Sequence, residues 1–157
     1  MTKNKTSLQI TLIVGRKNSG KTAYLEEIYH GALKKGLQVG GFLSKAQWDG
    51  NRKTRYFLHN LQNGEKHLLA WQSAAPSPLH AGQFAFLPET FEWGFRFVQN
   101  QLHLPVIIMD EFGPLEMRQQ GWYDLLRFLA TQYSGFLFIS VRPDLVDALL
   151  RMIKGWD

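Results

Sequence analysis

Residues 15–22 limit the possible folds of this chain more than any other segment. They fit the pattern G-x-x-x-x-G-K-[ST], which binds phosphate groups when a buried strand leads into it and a helix follows it. The β-branched, apolar run at 8–14 predicts such a strand, and residues 23–35 predict the helix. The alternative is a glycine-containing turn that matches by chance, but the four fixed positions and both flanks argue against it.

Each residue type in this segment has a physical role in holding phosphate. Gly15 and Gly20 have no Cβ, so the backbone can turn its amide groups inward around phosphate oxygens. The helix that follows begins with unpaired amide groups and a partial positive charge, and both suit an anion. Lys21 can reach the β- and γ-phosphates of a nucleotide, and the Thr22 hydroxyl can bind Mg²⁺. The predicted nucleotide-binding residues are Gly15, Arg16, Lys17, Asn18, Ser19, Gly20, Lys21 and Thr22.

The composition is that of an ordinary globular protein, and it excludes several kinds of site. The chain has 157 residues, enough for one domain spanning 1–157 with a proper core. It has no cysteine, which rules out disulfides and thiolate metal sites and is compatible with the cytoplasmic location that we expect. Its five histidines never occur at a metal-ligand spacing such as H-x-x-x-H. No apolar run approaches the ~18 residues of a membrane span, so we expect no membrane partner and no signal peptide.

The formal charge of +5 and the sequence pI of about 9.6 allow two interpretations. A basic surface can bind nucleic acid, or the lysines can be solvated while a small polyanion binds at one site. The densest basic clusters are only Lys34-Lys35 and Arg52-Lys53-Thr54-Arg55. Because no long basic run exists, we favour the small polyanionic ligand and do not expect a nucleic acid partner.

A second informative segment is the apolar run at 104–109, which ends in Asp110 and Glu111. A strand buried on both faces of a parallel sheet has this composition, and ligands bind at the carboxyl ends of such strands. Asp110 can hold Mg²⁺ opposite the phosphate loop. Glu111 can orient or deprotonate an attacking water, which favours hydrolysis over transfer to a second substrate. The alternative is an ordinary acidic strand end.

A carboxylate pair at this strand end also predicts an extra strand between the phosphate-loop strand and the Asp-Glu strand. Residues 135–141 are the natural candidate, and Arg142 follows them directly. Arg142 at that tip can stabilise the charge that develops in phosphoryl transfer. Equally, it can be an arginine that flanks a helix beside Pro143 and Asp144. The sequence leaves both interpretations open.

The remaining segments predict further strands and helices around these two motifs. A strand at 37–44 precedes a β-hairpin, inserted at about 54–72, whose turn contains an Asn-Gly pair. A helix at about 88–101 carries aromatic residues that could stack on bases, but their helical spacing favours a core. One more helix is predicted at 117–133, and a last helix begins after the strand at 135–141.

Five segments follow one another in the order known from one family. They are the phosphate loop, Val39-Gly40-Gly41-Phe42, Arg55 in the hairpin, Ala81-Gly82-Gln83-Phe84 and the segment 110–116. The last is the most specific, because the family carries Asp-Glu, an apolar residue, Gly, a variable residue, an apolar residue and Glu. With these segments the chain resembles the small nucleoside-triphosphatases related to the thermophile nucleoside-triphosphatase and the human cancer-related nucleoside-triphosphatase.

The resemblance implies the P-loop NTPase fold, an α/β architecture of three layers with a mainly parallel sheet and an inserted β-hairpin. It also implies Mg²⁺-dependent hydrolysis of NTPs such as ATP, GTP and CTP, with loose base selectivity and slow turnover. By position, Thr22 and Asp110 would serve the metal, and Glu116 would belong to the surroundings of the site. The candidate catalytic residues are Lys21, Glu111 and Arg142.

The chain departs from the family pattern at three places. Ser44-Lys45 stands where the family has Thr-Glu, and Arg55-Tyr56-Phe57 lacks the glycine of the family's hairpin. The family also continues into a further strand and helix, whereas this sequence ends at Asp157. That strand would lie beside residues 8–14, so we expect the strand at 8–14 to be a sheet edge. We expect a partner protein, a second copy or the N-terminal arm to cover it.

Two other functions stay open at this point. A nucleotide kinase would need an acceptor site and a lid, which the hairpin and the loop at 73–80 could supply, although no arginine-rich lid is evident. A nucleotide-gated binding or adaptor module would bind NTP tightly and hydrolyse it negligibly, and an open sheet edge favours this function. Acceptor-dependent formation of ADP would identify the kinase, and a nucleotide-dependent partner would identify the adaptor.

Overall fold

The computed structural model of the protein describes residues 8–156. None of the helices in this part of the chain has the length and apolar character needed to cross a membrane. A turn of 3₁₀ helix at Pro143–Leu145 precedes the last helix. The elements are β1 (Gln9–Val14), α1 (Lys21–Lys34), β2 (Val39–Asp49), β3 (Arg52–Asn60), β4 (Lys66–Gln72), β5 (His80–Ala81), β6 (Phe84–Phe86), α2 (Pro88–Gln99), β7 (Val106–Phe112), α3 (Pro114–Met117), α4 (Tyr123–Gln132), β8 (Phe136–Val141) and α5 (Val146–Gly155).

All eight strands form one sheet in the order β1-β8-β7-β2-β3-β4-β6-β5. The strand at 136–141 therefore lies between the phosphate-loop strand and the Asp-Glu strand, and the predicted insertion at this place is confirmed. β1, β8 and β7 are parallel to one another and to residues 39–42 of β2, so the carboxyl ends of β1, β8 and β7 meet at one edge of the sheet, past which β2 continues. The phosphate loop and Arg142 follow strands at this edge, and the carboxylate pair lies near the carboxyl end of β7.

The prediction of a mainly parallel sheet is wrong, because the sheet is mixed. Three strand pairings are parallel and four are antiparallel. The cause is β2, whose residues 39–42 pair with β7 in parallel while its residues 42–49 pair with β3 in the antiparallel sense. The predicted hairpin at about 54–72 is present as β3 and β4, but it extends the central sheet instead of standing apart from it.

Alternate residues of the central strands build two cores on opposite faces of the sheet. Val106 and Ile108 face α1, where they pack with Leu25. Ile107 and Met109 face the other side, which α2, α4 and α5 cover. The aromatic residues of α2 belong to this second core, so their predicted role in packing is confirmed. The buried side chains contributed by the three covering helices are Phe91, Val98, Leu125, Leu126, Leu129 and Leu149.

The helix predicted at 117–133 begins only at Tyr123, so this prediction is wrong in its first third. α3 ends at Met117 and α4 begins at Tyr123. Gln119 and Gly121 lie between them in the left-handed region, with φ of 61° each, which a continuous right-handed helix does not allow. The break turns the chain so that the amide of Trp122 reaches Glu116.

β1 lies at one end of the sheet and pairs only with β8 within residues 8–156. The predicted edge is therefore present, and Val14 on it is 51% exposed. The N-terminal arm, which was one of the candidates to cover this edge, lies outside the described residues. Cover by another chain stays a prediction.

Gly41 is the glycine on which the central sheet depends most directly. Its φ is +88°, and a Cβ at this position would overlap the backbone carbonyl of Ile108 on β7. We expect Gly41→Ala to reduce the free energy of unfolding by about 3 kcal/mol or more, because strain and overlap add. Gly64→Ala is the matched control, since Gly64 also has a positive φ of +75° but open space around it, and we expect a loss of about 1 kcal/mol.

Urea denaturation of both variants would measure the difference. Equal losses at the two positions would contradict the close approach of β2 and β7 at Gly41, because the backbone strain alone would then account for both.

Candidate active site

The phosphate loop connects β1 to α1 and is organised around Lys21. The Lys21 ammonium donates hydrogen bonds to the carbonyl oxygens of Gly15 at 2.7 Å and Arg16 at 2.9 Å. Its side chain is only 7% exposed. A Cβ on Gly15 would meet the Ser19 hydroxyl and the Lys21 side chain, so glycine is needed where the loop closes. The loop therefore holds a buried cation at its centre.

The N-terminus of α1 offers unpaired backbone donors to the same region. Gly20 caps the helix with φ of +91°, and no side chain in the described part of the chain caps the first amides. The first turn also contains no acidic residue that would compete with an anion. Uncapped amides and the helix dipole together make this end of α1 suitable for phosphate.

Asp110 at the end of β7 is 2% exposed and is the most heavily bonded carboxylate of the site. Thr22 Oγ1 donates to its Oδ2 at 2.8 Å, the amide of Ser44 donates to the same oxygen at 3.0 Å, and Ser140 Oγ donates to Oδ1 at 2.6 Å. Burial raises the pKa of Asp110, while these three hydrogen bonds oppose the rise. α1, β2 and β8 thus each bring one donor to β7.

The Thr22 and Asp110 oxygens fit the predicted Mg²⁺ site by their chemistry. Mg²⁺ prefers oxygen ligands and is usually bound by one or two carboxylates together with substrate phosphates and water. No group of three or more His, Cys, Asp or Glu side chains suited to a metal exists within residues 8–156. A cation held by one carboxylate, one hydroxyl and the phosphates of a ligand is consistent with this donor set.

Glu111 follows Asp110 and faces the open part of the site. Its side chain is 39% exposed, and its Oε2 lies 3.6 Å from the Lys21 ammonium. Desolvation and the neighbouring Asp110 raise the pKa of Glu111, while Lys21 and Arg142 lower it. A carboxylate with a raised pKa beside the phosphate loop is suited to accept a proton.

Arg142 follows β8 and has features of both interpretations that the sequence left open. Its Nε lies 3.9 Å from Asp144 Oδ1, as expected of an arginine that flanks the 3₁₀ turn. It also lines the same cleft as Glu111. Its Nε is buried and has no hydrogen-bond partner within residues 8–156. Buried polar groups are rarely left unpaired, so this donor is available to a ligand only if the side chain moves.

These groups line one cleft with a volume of about 710 Å³, a size typical of ligand-binding clefts. Its polar end is formed by residues 17–23 of the phosphate loop and α1, with Asp110 and Glu111 as the floor. Its other end is an apolar chamber. The chamber is lined by Tyr56, Leu69, Phe84, Phe86, Phe91 and Trp122.

Comparison with known proteins places the chain in a family. The sequence matches the family described as NTPase over residues 10–154. The chain belongs to this NTPase family. The NTPase is similar to Nucleoside-triphosphatase THEP1 of Methanopyrus kandleri, with 25% identity over 141 residues that cover 87% of this chain and 77% of the relative.

Two solved structures share the fold. The solution structure of a human cancer-related nucleoside triphosphatase has a TM-score of 0.71 at 19% identity, over 94% of this chain and 84% of that one. The crystal structure of THEP1 from Aquifex aeolicus has a TM-score of 0.68 at 19% identity, over 93% and 84%. The predicted P-loop NTPase fold is confirmed in its α/β architecture, with the correction to the sheet described above.

Several residues of the NTPase site were not predicted from its sequence. Ser44 was noted only as a departure from the family pattern, and Ser140 was not noted, although both bind Asp110. A polar residue near the carboxyl end of an apolar strand is the signal that could have indicated Ser140. Lys53 lines the cleft, whereas Arg55, the hairpin residue that the resemblance singled out, lies in a separate surface depression.

Glu116 has a structural contact for which the sequence offered no reason. Its Oε1 accepts a hydrogen bond from the Gly113 amide and its Oε2 one from the Trp122 amide, both at 2.8 Å. The side chain thereby joins the start of α3 to the start of α4 beneath the apolar chamber. Trp122 in turn stacks on Phe42 of β2, with ring centroids 4.1 Å apart. Glu116 therefore supports one wall of the cleft.

Burial raises the pKa of Glu116 to about 7 from its ordinary value of 4.5. The folded state thus binds its proton more tightly than the unfolded state, so this group contributes stability below pH 4.5 that is lost as pH rises to about 7. A shift of this size corresponds to roughly 3 kcal/mol. We expect the wild type to lose about this much stability relative to Glu116→Gln between pH 4.5 and 7.5.

Urea denaturation of both proteins at several pH values would measure the difference. The pH-dependent contributions of groups that both proteins share, including Asp110 and Glu111, cancel in this comparison. A difference between the two proteins that is constant with pH, or that moves in favour of the wild type as pH rises, would contradict the raised pKa.

Proposed function

We propose that this NTPase hydrolyses nucleoside 5′-triphosphates to the diphosphate and phosphate with the help of Mg²⁺. The observation that carries the proposal is the position of Glu111, whose carboxylate lies 3.6 Å from the Lys21 ammonium at the open side of the cleft. Glu111, a proton acceptor, therefore lies next to Lys21, the cation that would bind the transferred phosphate. The relatives named nucleoside-triphosphatase support the same activity.

The phosphate loop and α1 bind and orient the triphosphate. The uncapped amides at the start of α1 donate to phosphate oxygens, and Lys21 exchanges its carbonyl partners for the β- and γ-phosphates. Thr22 and Asp110 would hold Mg²⁺, which neutralises charge on the phosphate oxygens when bound. The bonds from Ser44 and Ser140 keep the Asp110 carboxylate in one orientation.

Glu111 acts on the attacking water. It accepts a hydrogen bond from the water, aligns it with the γ-phosphorus and takes its proton as the water oxygen bonds to that phosphorus. The bond between the γ-phosphorus and the β,γ-bridging oxygen breaks in the same step, and the nucleoside diphosphate leaves. The raised pKa of Glu111 favours this transfer. Arg142 donates to the oxygens on which negative charge develops, which gives its unpartnered Nε a role. Loose base selectivity and slow turnover, which the resemblance implies, belong to the same proposal, as does the cytoplasmic location.

A nucleotide kinase is the second candidate function, and it would place its phosphoryl acceptor in the apolar chamber. A chamber that continues the cleft beyond Glu111 could hold the body of a phosphoryl acceptor. The binding or adaptor function is the third candidate and has only the open edge of β1 in its favour. Phosphate release in water without any added acceptor separates hydrolysis from both.

Mg²⁺-dependent phosphate release from ATP, GTP and CTP tests the proposal directly. We expect the wild type to turn over all three nucleotides. Glu111→Gln should bind them but lose about 10²- to 10⁴-fold in kcat, because it cannot take the proton of the water. Lys21→Ala should weaken binding at least about tenfold, because it removes a charged donor to phosphate.

Matched control variants are available on the surface of the same protein. Glu65→Gln in the hairpin turn and Lys34→Ala in the last turn of α1 change the same charges away from the cleft, and both should behave as wild type. Nucleotide binding by the wild type without phosphate release from any of the three would overturn the hydrolase proposal.

The outer edge of β1 is where we propose that another chain or the N-terminal arm pairs with the sheet. Sedimentation equilibrium and amide hydrogen exchange test this together. A dimer mass with protected amides on both edges of β1 would support a second copy, and a monomer with both edges protected would support the arm. A monomer whose outward-facing amides exchange freely would contradict cover of either kind.

A further inference from the structure

The start of β3 carries a lysine, Lys53, that the proposed hydrolysis leaves without a role. Lys53 of β3 pairs with Trp48 of β2. The preceding residue of β2, Gln47, pairs with Arg55, so the register shifts by one residue between Gln47 and Trp48. Thr54 is the extra residue of this bulge and has no partner on β2. Lys53 and Tyr56 therefore face the same side of β3, although an odd number of positions separates them and a regular strand would place them on opposite sides. Lys53 therefore lines the cleft, whereas Arg55 faces away from it.

The Lys53 side chain extends from the start of β3 to the phosphate loop. Its ammonium donates a hydrogen bond to Asn18 Oδ1 within the loop. On the way it lies 5.2 Å from the centroid of the Trp48 ring and 5.5 Å from that of the Tyr56 ring. Two aromatic faces thus restrict its direction, and the Lys53 side chain connects β3 to the phosphate loop.

Positive charge accumulates where Lys53 ends. Lys17, Lys21 and Lys53 line the same end of the cleft, and Lys17 and Lys21 repel the Lys53 ammonium. Desolvation and then Lys17 lower the pKa of Lys53, while Glu111 and Asp110 oppose this. Three lysines converge at this end of the cleft, where Lys21 already donates to carbonyl oxygens of the phosphate loop. Their mutual repulsion makes the arrangement favourable only when an anion of high charge enters.

We propose that Lys53 leaves Asn18 when substrate binds and contacts the terminal phosphate of the nucleoside triphosphate. This inference rests on the proposed function and adds a second cation at the end of the cleft that holds Glu111. Lys21 approaches the phosphates from the loop, and Lys53 approaches from the opposite wall. Because a diphosphate lacks the γ-phosphate, Lys53 makes the site selective for triphosphates.

The test compares Lys53→Met with Arg52→Met, which removes the same charge from the neighbouring position. Arg52 binds the exposed side chain of Gln72 and does not line the cleft. With Mg²⁺ present, calorimetry would measure binding of ADP and of the non-hydrolysable β,γ-imido analogue of ATP. We expect Lys53→Met to weaken binding of the analogue about 10- to 100-fold and binding of ADP less than about threefold, since one charged hydrogen bond is lost.

Arg52→Met should leave both affinities unchanged, and Lys53→Arg should retain most of the preference for the triphosphate analogue. Equal weakening of both ligands by Lys53→Met, or no weakening of either, would overturn the inference. So would a wild type without preference for the analogue. Thermal unfolding would identify a misfolded Lys53→Met protein, and Lys53→Gln then provides the same comparison.

The outcome is separable from that of the hydrolase proposal. Binding selectivity is measured without turnover, so the role of Lys53 can stand even if no phosphate is released. Conversely, hydrolysis by the wild type together with an unchanged ligand ratio in Lys53→Met would refute the role of Lys53 alone.

Discussion

The burial of the Asp110 carboxylate is the interaction on which the rest of the site depends. A carboxylate at 2% exposure is costly unless its oxygens are bonded, and here three donors come from Thr22, Ser44 and Ser140. Each donor lies on a different element around β7, so the parallel order β8-β7-β2 and the start of α1 are all needed to satisfy one side chain. The same arrangement places the phosphate loop opposite the carboxylate pair.

Much of this arrangement was predictable because it depends on local patterns. The loop at 15–22, the apolar strand ending at Asp110 and the insertion of β8 each follow from short segments whose chemistry permits few structures. The mixed sheet was not predictable, because Phe42 and Leu43 give no indication that β2 changes its partner there from β7 to β3. The break at Gly121 and the bulge near Gln47 depend on single residues, whose backbone angles are decided by the surrounding packing.

The cleft combines opposite charges in a way that suits a polyanionic substrate and a water nucleophile. Cations lie on the loop and on the hairpin, whereas carboxylates form the floor. The aromatic chamber beside them excludes part of the solvent, which strengthens the interactions between these charges. Burial is the largest cause of the raised pKa values of Asp110 and Glu111 and of the lowered pKa of Lys53.

Because β2 changes its partner from β7 to β3, β2 and β3 extend beyond the edge where the parallel strands end and form one side of the cleft. Residues 39–42 of β2 pair with β7. Beyond Phe42, β2 continues past that edge and pairs with β3 but no longer with β7. Ser44, which binds Asp110, and Trp48, which pairs with Lys53, therefore lie on one continuous strand. Because a strand paired along its length bends less freely than a loop, the distance between the floor of the cleft and its hairpin wall is set by the sheet itself. The spacing between Asp110 and the start of β3, where Lys53 lies, is then a property of the sheet.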